Sequence, residues 1–152
     1  MNASWYSVPF GSRIHRKDAS IGLQPRLGLT RTWRMREEDV ADKPGWIVDA
    51  PGTQHISFPV SASRGIVKLA YLRTDLATMG KAHVWVSAAP GGTLSEAGAA
   101  LAKAPLELDG KWDDRFSLTQ VAELNNVGRG ELRLHVRKVS GAKFKVEAVM
   151  SC

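Results

Sequence analysis

Cysteine is nearly absent from this 152-residue chain: there is one, Cys152, the last residue of the sequence. A lone cysteine makes no internal disulfide, so the fold must be held by its core, and the redox compartment is left open. Long apolar runs are missing too. No stretch approaches the roughly 18 residues that a membrane helix needs, and no apolar segment of signal-peptide length lies near the start. Catalytic signatures are equally scarce. There is no Gly-x-Ser-x-Gly elbow, phosphate loop, Gly-x-Gly-x-x-Gly fingerprint or His-Glu-x-x-His helix. His15, His55, His83 and His135 are scattered, and no Cys/His cluster has ligand spacing, so neither metal nor cofactor is expected. With no nucleophile set beside a base, an enzyme is not expected either.

Acids are scarce at one end. Residues 1–36 carry Arg13, Arg16, Lys17, Arg26, Arg31, Arg34 and Arg36 against Asp18 alone, which accounts for the whole net charge of +6. The rest of the chain holds the remaining 14 of 21 basic and 14 of 15 acidic side chains. It therefore has no surplus with which to track a phosphate backbone, and nucleic acid is not an expected partner. Three readings of the basic leader stay open: an extended segment partly laid over the domain, an organelle transit peptide, or an arm that docks a protein or other anionic partner through residues 1–36. Asn2-Ala3-Ser4 matches the short N-glycosylation pattern.

A chain of this length buries roughly 70% of its unfolded surface, enough for one domain without staples. The division expected is a leader or linker over 1–32 and a domain over 33–152. Within the domain, period-2 alternation dominates. HISFPV (55–60) puts Ile56, Phe58 and Val60 on one face, with Pro59 marking an edge strand or strand end. IVKLAYL (66–72) and KAHVWVS (81–87) read as two strands of one hairpin around a seven-residue loop, with Gly80 passing close to a neighbour and Met79 plugging an apolar gap. ELRLHVRKV (131–139) turns at Ser140-Gly141 and pairs back with AKFKVEAVM (142–150), Phe144, Val146 and Ala148 pointing inward. Residues 49–52 supply a turn, Asp109-Gly110 reads as hairpin chemistry, and residues 115–120 and 121–125 read as separate short runs. LSEAGAALAKA (94–104) is the one helix-prone patch, short and carrying Gly98. The expectation is a soluble, all-β antiparallel sandwich or jelly roll of seven to nine strands with an irregular basic N-terminal segment.

Few side chains invite a ligand. Asp113 and Asp114 follow Trp112, but neighbours on a strand face opposite ways, which suits a solvated turn better than the facing carboxyls of a glycosidase. The five tryptophans are more suggestive, since an indole stacks on the apolar C–H face of a sugar. Trp85 and His83 alternate against Val84 and Val86. They either stand on the outer surface beside Arg73 or Lys68, or pack beneath the leader. Trp46 reads as core or lid.

Several segments resemble the C-terminal β-rich accessory region of plant and algal SGNH (GDSL)-hydrolase-like proteins. The match is carried by KPGW (43–46), YLR (71–73), MG (79–80) and GKW (110–112), and spans roughly residues 33–152. That family's Gly-Asp-Ser and Asp-x-x-His blocks are missing, and residues 88–104 hold none of its loop cysteines. The resemblance implies a noncatalytic accessory module of secreted type that binds glycan or supports a glycan-modifying protein, and the missing cysteines argue against a disulfide-stapled version. Arg73, Asp75, Trp85, Trp112 and Asp113 are the candidate ligand-binding residues, and a polysaccharide is the expected ligand.

Overall fold

The apolar–polar alternations become strands. The computed structural model describes residues 4–7, 26–27, 33–37, 44–48, 55–75 and 77–152. Asp18, the leader arginines at 13, 16 and 31, and the turn expected over residues 49–52 lie outside the described residues. The elements are β1 (Ser4–Ser7), β2 (Arg26–Leu27), β3 (Trp33–Glu37), β4 (Pro44–Val48), β5 (His55–Ala62), β6 (Val67–Arg73), β7 (Lys81–Ala88) and β8 (Thr93–Leu94). After them come α1 (Glu96–Lys103), β9 (Leu106–Asp109), β10 (Leu118–Leu124), β11 (Gly128–Lys138) and β12 (Phe144–Ser151). Nine strands follow from Pro44 onward, and the chain is an all-β antiparallel sandwich.

One sheet runs β10-β6-β12-β4-β3, with β1 also against β12. The other runs β2-β5-β11-β7-β9, with β8 against β11. From β4 to β7 the chain changes sheet at every step, and it does so again from β9 through β12. Two sheets stack about 10 Å apart, so a crossing needs more chain than a tight turn. This corrects three expectations. β6 and β7 are not a hairpin: they lie in opposite sheets, and the loop between them spans the sandwich. β11 and β12 likewise part at Ser140-Gly141, where Lys138 Nζ donates to the carbonyls of Gly141 (2.9 Å) and Ala142 (3.1 Å). The Asp109-Gly110 turn closes no hairpin, because β9 pairs back with β7. Residues 118–124 form a single strand, β10.

Between the sheets, Phe58, Val60, Val84, Val86, Leu134 and Val136 meet Leu69, Tyr71, Phe144, Val146 and Val149. Each such side chain contributes about 1.5–3 kcal/mol on burial. A bulge between Val146 and Ala148 shifts the register against β6, so Val149, not Ala148, takes the next inward place. Trp46 packs edge-on to Phe58 at 4.9 Å, on the margin of this core. The single helix, too short to persist alone, is tied down at its start: Ser95 Oγ accepts from Gly98 N–H (3.1 Å) and donates to the Asn126 carbonyl. Gly98 lets the helix press on β11's approach, since a Cβ there would stand 2.0 Å from the Val127 carbonyl oxygen.

Candidate functional site

Three loops converge at one end of the sandwich. Gly80 N–H donates to the Lys143 carbonyl (2.8 Å), and its own carbonyl accepts from Gly110 N–H (3.0 Å). Thr74 bridges Lys111 in parallel: Thr74 N–H donates to Gly110 O (3.1 Å), and Trp112 N–H donates to Thr74 O (3.0 Å). Beneath this lacing Met79 is buried, and Tyr71 stacks on Phe144 at 5.7 Å. Burial holds the Tyr71 phenol above its ordinary range, so it stays a neutral part of the floor.

On this rigid end sit four of the five candidate residues. Arg73, the last residue of β6, lays its guanidinium over the Trp112 ring, 4.7 Å from the centroid, and donates from Nη2 to the Lys111 carbonyl (3.0 Å). Asp75 is exposed on the same lip, one oxygen accepting from the Thr74 hydroxyl at 3.2 Å. Asp113 follows Trp112 and is exposed. Phe116, missed from the sequence because its run read as a strand, is 60% exposed and meets Trp112 edge-on at 6.5 Å. The corner thus offers an indole and a phenyl, a fixed cation and two acids. Two of its donors, Arg73 Nε and Trp112 Nε1, are shielded from solvent without an acceptor among the described residues. A buried donor left unpaired costs about 1–3 kcal/mol, which an oxygen reaching either atom, from water or from a ligand, would relieve.

Trp85 is elsewhere, which corrects its expected place beside Arg73 or Lys68. Those two residues belong to β6, whereas Trp85 belongs to β7 in the opposite sheet and projects from that sheet's outer face. There it stacks on His135 of β11 at 5.0 Å and on His55 of β5 at 5.4 Å, the ring planes within 19° of its own. His135 Nε2 is 2.7 Å from Ser87 Oγ, and its Nδ1 is 3.0 Å from His55 Nε2. The structure therefore does set a hydroxyl beside an imidazole, which the sequence had not suggested. Burial, with His55 and Arg133 nearby, pulls His135 down from its ordinary 6.5 to about 4, and burial beside Arg137 lowers His55. So weak a base, with Ser87 in a strand whose neighbouring amides are committed to the ladder, makes a poor nucleophile pair. The signal for this patch was in the sequence, where Trp85, His83, His135 and Arg137 all alternate outward. Only the cross-strand register brings them together.

Among the described residues no group of three or more His, Cys, Asp or Glu side chains is arranged to hold a metal ion. No helix of the described residues is long and apolar enough to cross a membrane.

No protein-family model matches the chain, and no curated protein matches it. Solved structures do. A two-domain esterase active on acetylated mannans, co-crystallised with mannopentaose, aligns with a TM-score of 0.60 and 13% identity over 85% of this chain and 36% of its own. The chain thus spans about a third of that esterase's length. A family 35 carbohydrate-binding module from an environmental isolate aligns with a TM-score of 0.53 and 8% identity, over 98% of this chain and 93% of its own. Another, from Clostridium thermocellum, aligns with a TM-score of 0.51 and 12% identity over 100% of both chains. At such identities the likeness is one of fold: this chain has the β-sandwich architecture on which carbohydrate-binding modules are built.

Proposed function

We propose that this chain is a noncatalytic glycan-binding module, with its site at the corner formed by Arg73, Asp75, Trp112, Asp113 and Phe116. One observation carries the reading. Trp112 and Phe116 present ring surface beside two shielded donors without acceptors, on loops locked by backbone hydrogen bonds. A pyranose ring matches this pairing: its C–H face lies on the rings while its hydroxyl oxygens accept from Arg73 and Trp112. The exposed Asp75 and Asp113 carboxylates accept from sugar hydroxyls at the rim. A fold shared with carbohydrate-binding modules supports the same reading. The alignment to about a third of a mannan-active esterase, together with the resemblance to SGNH-hydrolase accessory regions, supports a role alongside a glycan-modifying partner.

The test is affinity electrophoresis of the full chain in gels containing neutral polysaccharides, starting with β-mannan. Retardation is expected, and Trp112→Ala or Arg73→Ala lowers the affinity at least about tenfold, a loss of roughly 1.4 kcal/mol. Trp85→Ala leaves it within about twofold. A full panel without retardation, or retardation indifferent to Trp112→Ala, overturns the placement.

A further inference from the structure

The two outer faces of the sandwich differ. On the face built from β10, β6, β12 and β4, outward-pointing Ile47, Ala70, Leu72 and Lys145 are all buried. On the face built from β5, β11, β7 and β9, Arg137 and Glu107 are exposed, and Trp85, His135, Arg133 and His83 are half-buried. That open face carries a distinct chemistry. Register sets His135 directly between Ser57 of β5 and Trp85 of β7, and sets Arg137 between His55 and His83. The Trp85 ring lies nearly parallel to both imidazoles, which are tilted 31° to each other, with the Arg137 guanidinium 5.6 Å from the Trp85 centroid.

Charge decides the ligand. Neither Arg133 nor Arg137 has a carboxylate partner within ion-pair distance among the described residues. Two acids border the patch: Glu131 is exposed at the end of the same row of β11, two residues from Arg133, and Glu107 is held by Lys81 (2.7 Å) and faces His83 (3.7 Å). Lys81 keeps the Glu107 carboxyl below its ordinary range, so that pair stays ionised and mutually satisfied. The two arginines are four residues apart on one strand, about 13 Å at strand rise, with His135 between them. That gap exceeds a single sugar ring. A face with guanidinium groups at both ends that lack a carboxylate partner among the described residues, and stacked rings in the middle, fits an extended chain whose rings lie flat and whose oxyanions reach the arginines.

We propose that this outer face is a second ligand surface, separate from the Trp112 corner, and that its ligand is an acidic polysaccharide lying along β11 across Trp85, with its oxyanions on Arg133 and Arg137. It does not depend on the corner being a site. The decisive measurement is calorimetric titration of the full chain, at about 0.15 M salt, with heparin (sulfated), polygalacturonate (carboxylated) and β-mannan (neutral). The acidic polymers bind, and Arg137→Gln or Trp85→Ala weakens them at least about tenfold. Lys103→Gln, which removes the same charge from the end of α1, changes affinity by less than about twofold, as does Trp112→Ala. Preference for heparin or polygalacturonate identifies the oxyanion, and either preference supports the surface. Thermal unfolding of Arg137→Gln, an exposed position, verifies that the fold is intact. Absence of binding to both acidic polymers overturns the proposal. So does an equal loss from Arg137→Gln and Lys103→Gln, because binding would then follow net charge alone. Binding of the acidic polymers with no neutral polysaccharide of the full panel bound would sink the corner and leave this face standing.

Discussion

His135 is held neutral by its surroundings: an indole on one side, a serine hydroxyl and a second imidazole at its two nitrogens, and an arginine two residues along the strand on either side, Arg133 and Arg137. Its affinity for a proton falls from the ordinary 6.5 to about 4 on folding. In that window the unfolded chain takes up a proton that the folded chain refuses, so stability is full above pH 6.5, declines as pH falls, and levels off near pH 4. The lowered His55 acts in the same direction. Discounted for solvent screening at a half-buried site, the loss is of order 1–2 kcal/mol. Urea unfolding of the wild type and of His135→Gln at pH 7 and pH 4.5 measures it. The variant, whatever its absolute stability, is expected to lose less between the two pH values, and equal losses would show that the pair carries no linkage.

At the scale of elements, the sequence announces strands well and partners poorly. Period-2 alternation marks β5, β6, β7, β11 and β12 because each buries one row of side chains against the core, a property local to the strand. Which sheet a strand joins depends on residues far away, and the eye defaults to pairing neighbours. Hence β6 with β7 and β11 with β12 read as hairpins although each pair is divided between the sheets. The bulge after Val146 is likewise invisible locally, because nothing in KVEAV marks where the register slips. The candidate site shows the same limit. Arg73 and Trp112 are legible as residue types, but nothing local to KAHVWVS tells that Trp85 stands on the opposite face of the sandwich from β6. Gly80 is an instance where local and distant information agreed. A Cβ there would stand 1.9 Å from the Ser140 carbonyl oxygen, backbone that cannot swing aside. Gly80→Ala is therefore expected to cost about 1–3 kcal/mol or more in denaturant midpoint analysis. A cost under about 0.5 kcal/mol would mean that the loop does not seat against the β11–β12 turn.

For the molecule as a whole, the two surfaces stand in different relations to the N-terminal residues. β1 runs beside Ala148 to Ser151 of β12, continuing the line that β4 follows against the first half of that strand, and β2 lies against Ile56 and Ser57 of β5. Removing residues 1–32 would therefore strip a partner from each sheet and leave open strand edges, which costs stability and invites self-association. The Trp112 corner is at the far end of β6 from the β1 contact, since Arg73 pairs with Leu118 while Val67 pairs with Ser151. The outer face around Trp85 is closer to the loss, because Ser57 is opposite both Arg26 and His135. The 33–152 fragment is thus expected to melt at least about 5 °C lower than the full chain and to sediment with a concentration-dependent mass. It should hold neutral glycan within about twofold of the full chain, and lose acidic glycan affinity more steeply. An unchanged melting temperature would make residues 1–32 an appendage rather than part of the sheets. Loss of neutral glycan binding from a fragment that remains folded would place the leader at the corner itself, and the ligand contacts would then have to be sought in residues 1–32 as well as on the 110–117 loop.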